Sequence, residues 1–175
     1  MIDHGPRAEA LFYEGYNCAQ SVFCAFTDVT GLDLETSARL ASSFGAGFGR
    51  MREMCGTISA GAMVLGLALG YADPKDPEAK KAHYALVREF IGRFREQEGA
   101  ILCRELLQKA NLPDAAIAPG GDPEERTPEY YKKRPCPGLA RQAAHIVDQM
   151  LSRAPADRLD SPDLSATDES DPPAF

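Results

Sequence analysis

Five cysteines are the residues of this chain whose type most readily supports chemistry, and they stand at positions 18, 24, 55, 103 and 136. Thiolates bind metals and carry out redox reactions, but a free cysteine is also often a small, buried apolar side chain. No Cys-x-x-Cys pair occurs, which argues against zinc knuckles, zinc ribbons, thioredoxin-type dithiols and c-type haem attachment. Any shared site must therefore be assembled by tertiary folding.

Four of the cysteines lie in or beside the first turn of a predicted helix: Cys18, Cys55, Cys103 and Cys136. Free N–H groups and the helix macrodipole stabilise negative charge at such a position. Arginines at 50, 52 and 104 stand close to two of these cysteines in sequence. Both effects are expected to lower the pKa of a thiol and to make it a better nucleophile or metal ligand. Cys24 lies in the middle of a predicted helix, and we interpret it as a packing residue.

The elements that position these thiols are predicted to be helices throughout. The apolar spacing and the Pro, Asn and Gly punctuation predict helices over residues 7–16, 17–29, 36–44, 55–69, 77–98, 101–110 and 138–153. Asn17 is expected to cap the second helix and Gly31 to end it. The segment 55–69 is apolar nearly all round and rich in Gly and Ala, so it predicts a buried central helix. We expect an all-α, single-domain bundle of about six to seven helices.

Length and charge set the domain organisation. A chain of 175 residues, 44% of them hydrophobic, suits one domain with a real core. Residues 154–175 hold six acidic side chains against one arginine, so we predict a helical domain over 1–153 and a disordered acidic tail over 154–175.

The acidic balance, net −7, argues against nucleic-acid binding. No 18-residue apolar run and no secretory signal occur, so we expect no membrane span and a cytoplasmic protein. Cytosolic cysteines rarely form a framework of disulfides.

A glycine-rich turn, Gly45-Ala46-Gly47-Phe48-Gly49, precedes Cys55. It lacks both the preceding strand and the Gly-x-Gly-x-x-Gly spacing of a dinucleotide site. We interpret it as a tight bend whose exposed N–H groups could donate to cluster sulfides or to an anion.

Other chemistry-bearing residues are scattered. The histidines, 4, 83 and 145, form no Glu-x-x-His pattern, which disfavours a ferritin-like di-iron bundle. His145 is considered as a further ligand or base. Tyr130 and Tyr131, which precede Cys136, are considered as a lid.

Five blocks occur in a fixed order along the chain: 15–20 (GYNCAQ), 44–47 (FGAG), 55–56 (CG), 103–107 (CRELL) and 136–137 (CP). Over about residues 8–151 they resemble a family named for four cysteines and a CGAxxG motif, the C-GCAxxG-C-C family. The motif here reads Cys55-Gly56-Thr57-Ile58-Ser59-Ala60, with alanine in place of the final glycine and Gly61 after it.

The resemblance implies a small, all-helical, redox-active protein whose family cysteines correspond to Cys18, Cys55, Cys103 and Cys136. A related helical domain in split-Soret-type cytochromes is associated with an iron–sulfur cluster, so the resemblance also implies a cluster by analogy.

Three functions remain open. The first is an iron–sulfur protein that passes electrons to an unidentified redox partner protein, with the four cysteines as ligands and Gly45, Gly47 and Gly56 near the cofactor. The second is metal-free thiol–disulfide exchange with Cys55 as the attacking thiol, because Gly56 is expected to leave its approach open. The third is structural zinc in an adaptor protein. A homodimer is also considered, since a second chain could cover part of the 55–69 helix.

Overall fold

The all-helical prediction is confirmed. The computed structural model describes residues 2–154, and these residues form ten α-helices, seven of which have seven or more residues, and no strand. The helices are α1 (Gly5–Tyr13), α2 (Cys18–Ala25), α3 (Thr27–Thr30), α4 (Leu34–Ala41), α5 (Gly56–Leu69), α6 (Pro77–Glu98), α7 (Cys103–Lys109), α8 (Asp114–Ile117), α9 (Pro128–Lys133) and α10 (Cys136–Leu151). A 3₁₀ turn, Ser42–Phe44, follows α4.

The helix ends follow the capping residues of the sequence. Asn17 caps α2 by accepting hydrogen bonds from the backbone N–H groups of Ala19 and Gln20, and the Gln20 side chain accepts one from the Asn17 N–H. This reciprocal arrangement is a capping box. Gly31 and Gly99 end α3 and α6 in the left-handed conformation, which glycine adopts without steric cost.

The core forms where α1, α2, α5 and α10 pack together, with α6 against α5 and α10. Its largest fully buried rings are Phe12, Phe23, Phe26, Phe90 and Phe94. Gly61 of α5 permits one close approach, because a Cβ at this position would collide with the ring of Phe90 and lie 3.2 Å from Val147 Cγ2. The predicted Gly/Ala-rich central helix is therefore confirmed as α5.

Three helix boundaries differ from the sequence prediction. The helix predicted over 17–29 breaks at Phe26, which ends α2 and precedes α3. The third helix starts at Leu34 rather than 36, because Asp33 accepts a hydrogen bond from the Thr36 N–H and so caps it. The segment 111–134, predicted to be a loop, contains the short helices α8 and α9.

The long helix α6 is buried only in part. Its Phe90 and Phe94 side chains are buried, whereas Ala82 and Tyr84 are exposed. The second half of α6 therefore contributes the buried rings of this helix to the core.

None of the helices within residues 2–154 has the length and the apolar character that a membrane crossing requires. Apart from Ala154, the predicted acidic tail of residues 154–175 lies outside the described residues.

Candidate functional site

The four cysteines singled out by sequence all stand at helix starts, as predicted. Cys18, Cys103 and Cys136 are the first residues of α2, α7 and α10, and Cys55 is the residue that precedes α5. Each thiol thus lies next to backbone N–H groups that have no partner within the helix.

These four cysteines border one cavity of about 60 Å³. Cys55 is 4% exposed, Cys18 and Cys103 are each 7% exposed, and Cys136 is half-buried. All of them are free thiols. The remaining walls combine apolar side chains with charged and aromatic ones: Phe12, Leu106, Leu107, Leu139, Arg52, Arg126, Arg134 and Tyr130. The fold therefore brings together residues that are separated by dozens of positions in the sequence.

Backbone pairing holds two of the cysteine segments side by side. Met54 and Leu102 form an isolated antiparallel bridge. The Cys55 N–H donates to the Ile101 carbonyl at 3.0 Å, and the Cys103 N–H donates to the Glu53 carbonyl at 2.6 Å. The start of α5 and the start of α7 are thus fixed relative to each other.

The glycines predicted to lie near a cofactor are close-packing positions. A Cβ on Gly56 would lie 2.7 Å from Cys18 Sγ, and one on Gly47 would lie 2.7 Å from Cys103 Cβ. A Cβ on Gly45 would lie 2.5 Å from Asn17 Cγ. A side chain at Gly56 or Gly47 would therefore displace a cysteine, and one at Gly45 would displace the residue that caps α2.

The glycine-rich turn is a run of residues in the left-handed φ region. Residues 46–50 all have positive φ, from 54° at Ala46 to 74° at Gly47. Non-glycine residues rarely adopt this conformation, which costs roughly 1–2 kcal/mol per residue. The Ala46 N–H donates to Cys18 Sγ at 3.4 Å. One N–H group of this turn thus donates to a cysteine sulfur, whereas donation to cluster sulfides or to an anion stays a prediction.

The electrostatics of the thiols differ from the expectation. Burial raises the pKa of Cys55 well above its usual value, and the charge of Cys18 adds to the rise. Burial also raises the pKa of Cys103, and it raises that of Cys136 to about 12. The prediction of lowered pKa values is therefore wrong for these three thiols, because loss of water and mutual repulsion outweigh the helix N-termini and the arginines.

Arg52 and Arg104 do not act on the cysteines that are nearest to them in sequence. Arg52 lies beside Cys103, not Cys55, and counteracts the rise in the pKa of Cys103. Arg104 forms an exposed ion pair with Glu53 at 2.9 Å. The expectation of an open approach to Cys55 is not met either, because Cys55 is almost fully buried.

Sequence reasoning missed two arginines, Arg126 and Arg134, which line the cavity and lower the pKa of Cys136 against the effect of burial. Both guanidinium groups lie over the ring of Tyr130, at 5.2 and 4.7 Å from its centroid. Tyr130 lines the cavity, as a lid residue would, whereas Tyr131 packs against Phe12. The sequence signal that could have identified Arg126 and Arg134 was their position in the segment that leads to Cys136.

Two other candidates lie elsewhere. Cys24 is 2% exposed within the core, and burial raises its pKa to about 11, so its interpretation as a packing residue is confirmed. His145 is half-exposed and contacts Gln149 and Asp3 rather than any cysteine. Across residues 2–154, no three His, Cys, Asp or Glu side chains are placed to hold a single metal ion together.

An all-helical domain with four cysteines from four helix starts around one cavity has the features of a cysteine-based redox domain. The chain belongs to the family described as "Putative redox-active protein (C_GCAxxG_C_C)", whose model matches residues 16–150. The matched range contains all four cysteines, and the resemblance stated from the sequence is confirmed. No curated protein and no solved structure matches the chain.

Proposed function

We propose that this redox-active protein holds an iron–sulfur cluster with Cys18, Cys55, Cys103 and Cys136 and exchanges electrons with a partner protein. The observation that carries the proposal is the position of four free thiols on the wall of one buried cavity. Iron–sulfur clusters are most often held by four cysteine thiolates. A bound cluster would supply reversible one-electron transfer.

The raised thiol pKa values argue against a reactive free thiolate in this cavity. Because burial raises the pKa of Cys55, Cys103 and Cys136, these thiols stay protonated at neutral pH when no metal is bound. Protonated thiols are poor nucleophiles. Metal binding instead releases the protons and offsets the negative charge that the thiolates would otherwise concentrate in one place.

Three arginines on the cavity wall suit the charge of such a site. Four thiolates and their cluster carry net negative charge, and Arg52, Arg126 and Arg134 are positioned to balance it. The Ala46 N–H, which donates to Cys18 Sγ, would hold this sulfur in place and stabilise its negative charge. Hydrogen bonds to sulfur and exclusion of solvent are among the factors that set the potential of a cluster.

The same geometry favours a cluster over the zinc hypothesis. A single zinc ion needs about four donors around one point, and no three suitable side chains within the described residues meet in that way. A cluster distributes its ligands over several iron atoms, so its thiolates need not meet at one point.

Metal-free thiol–disulfide exchange is the second candidate. It is favoured by one observation, which is that Cys18 is close enough to raise the pKa of Cys55, Cys103 and Cys136 through its charge. Two of these thiols would form one disulfide and pass two electrons and two protons to an oxidised partner disulfide. Cys136 is more exposed than Cys55, so it suits attack on a partner better than the thiol named from the sequence.

The deciding experiment is purification of the full chain without oxygen after expression with added iron, followed by iron, zinc and acid-labile sulfide analysis. We expect a coloured protein that contains both iron and sulfide. Cys18→Ser, Cys55→Ser, Cys103→Ser and Cys136→Ser should each lower the iron content. Cys24→Ser is the matched control, because Cys24 is at least as buried as the other four cysteines but lies outside the cavity.

Three results would contradict the proposal. Colourless protein without iron and sulfide would favour thiol exchange, in which case oxidant should form a disulfide that Cys136→Ser prevents. Stoichiometric zinc without sulfide would favour the structural role. Loss of iron in Cys24→Ser as large as in the other four variants would mean that the variants act through stability and not through ligation.

A further inference from the structure

An open cleft lies directly against the cysteine cavity. Its volume is about 350 Å³, which is within the size range of small-molecule sites. The cleft and the cavity share several wall residues, among them Ala46, Arg52, Tyr130 and Arg134. A molecule bound in the cleft would therefore be separated from the thiols by a single layer of side chains.

The charge of this cleft is opposite to that of the chain. The chain carries a net charge of −7, yet the charged residues that line the cleft are four arginines and one glutamate: Arg50, Arg52, Arg126, Arg134 and Glu124. Such a concentration of one sign of charge in a concave surface attracts ligands of the opposite sign.

Arg52 is the least satisfied of these arginines. It is 3% exposed, and among the residues that the structure describes its Nε has no hydrogen-bond partner. Its closest carboxylate oxygen, Glu124 Oε1, lies 3.7 Å from Nη2, which is longer than a charge-assisted hydrogen bond. A buried guanidinium with an unused donor is costly, and the negative charge of an anion beside this guanidinium would offset part of that cost.

Glu124 indicates which chemistry the cleft accepts. Its Oε1 accepts a hydrogen bond from Arg134 Nη2 and lies 3.4 Å from Arg50 Nη2. One carboxylate oxygen is thus placed where three guanidinium groups converge. The Glu124 side chain is 36% exposed, so a ligand that enters from solvent can displace it or bind beside it.

Arg126 has a different role from Arg52 and Arg134. Its Nη1 and Nη2 donate to the carbonyls of Phe12 and Tyr16, at 3.2 and 3.1 Å. These bonds hold the segment around Arg126 against the end of α1. Arg50 is also bound to the wall, because its Nη1 donates to the carbonyls of Ala118 and Gly120. Arg126 and Arg50 therefore build the cleft, and Arg52 and Arg134 are left to meet an anion.

We infer that this cleft binds a small molecule through an oxyanion group, a carboxylate or a phosphate, held by Arg52 and Arg134 with Glu124 as an internal competitor. The planar guanidinium matches both groups through paired hydrogen bonds. The inference goes beyond the redox function and does not require a cluster, because its contacts come from the side chains that face the cleft.

Calorimetric titration of the reduced, metal-free full chain with malonate and with inorganic phosphate tests this inference. Ionic strength is kept constant with chloride. We expect saturable binding of at least one probe, and the tighter of the two identifies the oxyanion group. Arg52→Gln should weaken binding about tenfold or more, because it removes a buried charged donor. Arg88→Gln, on an exposed position of α6, removes the same charge and should leave binding unchanged.

Glu124→Gln tests the same site in the opposite direction. Removing the competing carboxylate should tighten binding of the better probe about tenfold. A gain in affinity cannot result from misfolding, so this variant decides the question even if Arg52→Gln does not fold. Absence of saturable binding to both the wild type and Glu124→Gln would overturn the inference, as would an equal loss in Arg88→Gln and Arg52→Gln.

The result of the probe titration is independent of the result of the iron and sulfide analysis. Binding of either probe to a protein that takes up no iron would leave the cleft standing and overturn the cluster. A protein that contains iron and sulfide but binds neither probe would do the reverse.

Discussion

Alanine at Gly56 and alanine at Gly66 should change stability in opposite directions, although both glycines lie in α5. A Cβ on Gly56 would lie 2.7 Å from Cys18 Sγ, 2.7 Å from the Phe44 carbonyl oxygen and 3.2 Å from the Ala19 nitrogen. Two of these three atoms belong to the backbone, which cannot yield as the end of a flexible side chain can. A Cβ on Gly66 meets no atom within 4 Å.

The expected magnitudes follow from these distances. Overpacking of a filled core costs about 1–3 kcal/mol, and the better helix propensity of alanine returns up to about 1 kcal/mol. Gly56→Ala should therefore lower the free energy of unfolding by up to about 3 kcal/mol. Gly66→Ala has no steric cost and should raise it by about 0.5–1 kcal/mol.

Urea unfolding of the reduced, metal-free protein measures both changes on one scale. Gly56→Ala should also lower iron uptake, because relief of the clash requires Cys18 Sγ to move. Gly66→Ala should leave iron uptake unchanged. If the two variants shift the unfolding midpoint in the same direction, the close approach of Gly56 to Cys18 does not control the packing of this site.

Three further changes test the electrostatics and the backbone. Burial acts to lower the pKa of His4, but the hydrogen bonds and charges of Asp148 and Asp28 raise this pKa overall. His4→Gln should therefore lower the free energy of unfolding by roughly 3–5 kcal/mol below pH 6.5. This cost should shrink as the pH rises through the raised pKa of His4, as urea unfolding across that range would reveal. The positive φ of 54° at Ala46 strains the backbone by roughly 1–2 kcal/mol. Ala46→Gly removes this strain and should raise the melting temperature, and a lower melting temperature would contradict the strain argument. Because burial raises the pKa of Cys136 from 9.0 to about 12, metal-free protein should lose stability as the pH rises above 9, and Cys136→Ala should weaken that dependence.

Local signals were sufficient to predict the seven longer helices and the places of the cysteines at their starts. Asn17, Gly31 and Gly99 mark helix ends through their own backbone and side-chain chemistry, which does not depend on the rest of the fold. The break at Phe26 was missed, because that ring is fully buried and lies stacked on His4, 4.1 Å between centroids. Tertiary packing, and not helix propensity, determines the chain direction at this point.

The sign of the thiol pKa shifts could not be read from the sequence, for a related reason. A helix N-terminus is visible in the sequence, whereas desolvation depends on which apolar side chains close over the sulfur. The walls around Cys136 include Leu139 from its own helix and Leu106 and Leu107 from α7. Arg126 and Arg134 likewise reach the site only because the 118–134 segment folds back over α1.

The glycine-rich turn connects the two proposed sites, the cysteine cavity and the arginine-lined cleft. Its Ala46 N–H contacts Cys18, its Gly47 packs against Cys103, and Arg50 and Arg52, at its end, face the cleft. Strained backbone persists where the surrounding structure requires it, and this requirement is often functional. Since Arg52 borders both the thiols and the proposed oxyanion, an anion that takes up its positive charge makes negative charge on the sulfurs less favourable. This coupling is reciprocal: the factor by which the bound anion changes the equilibrium for negative charge on the cysteines is also the factor by which that charge changes the affinity of the cleft for the anion.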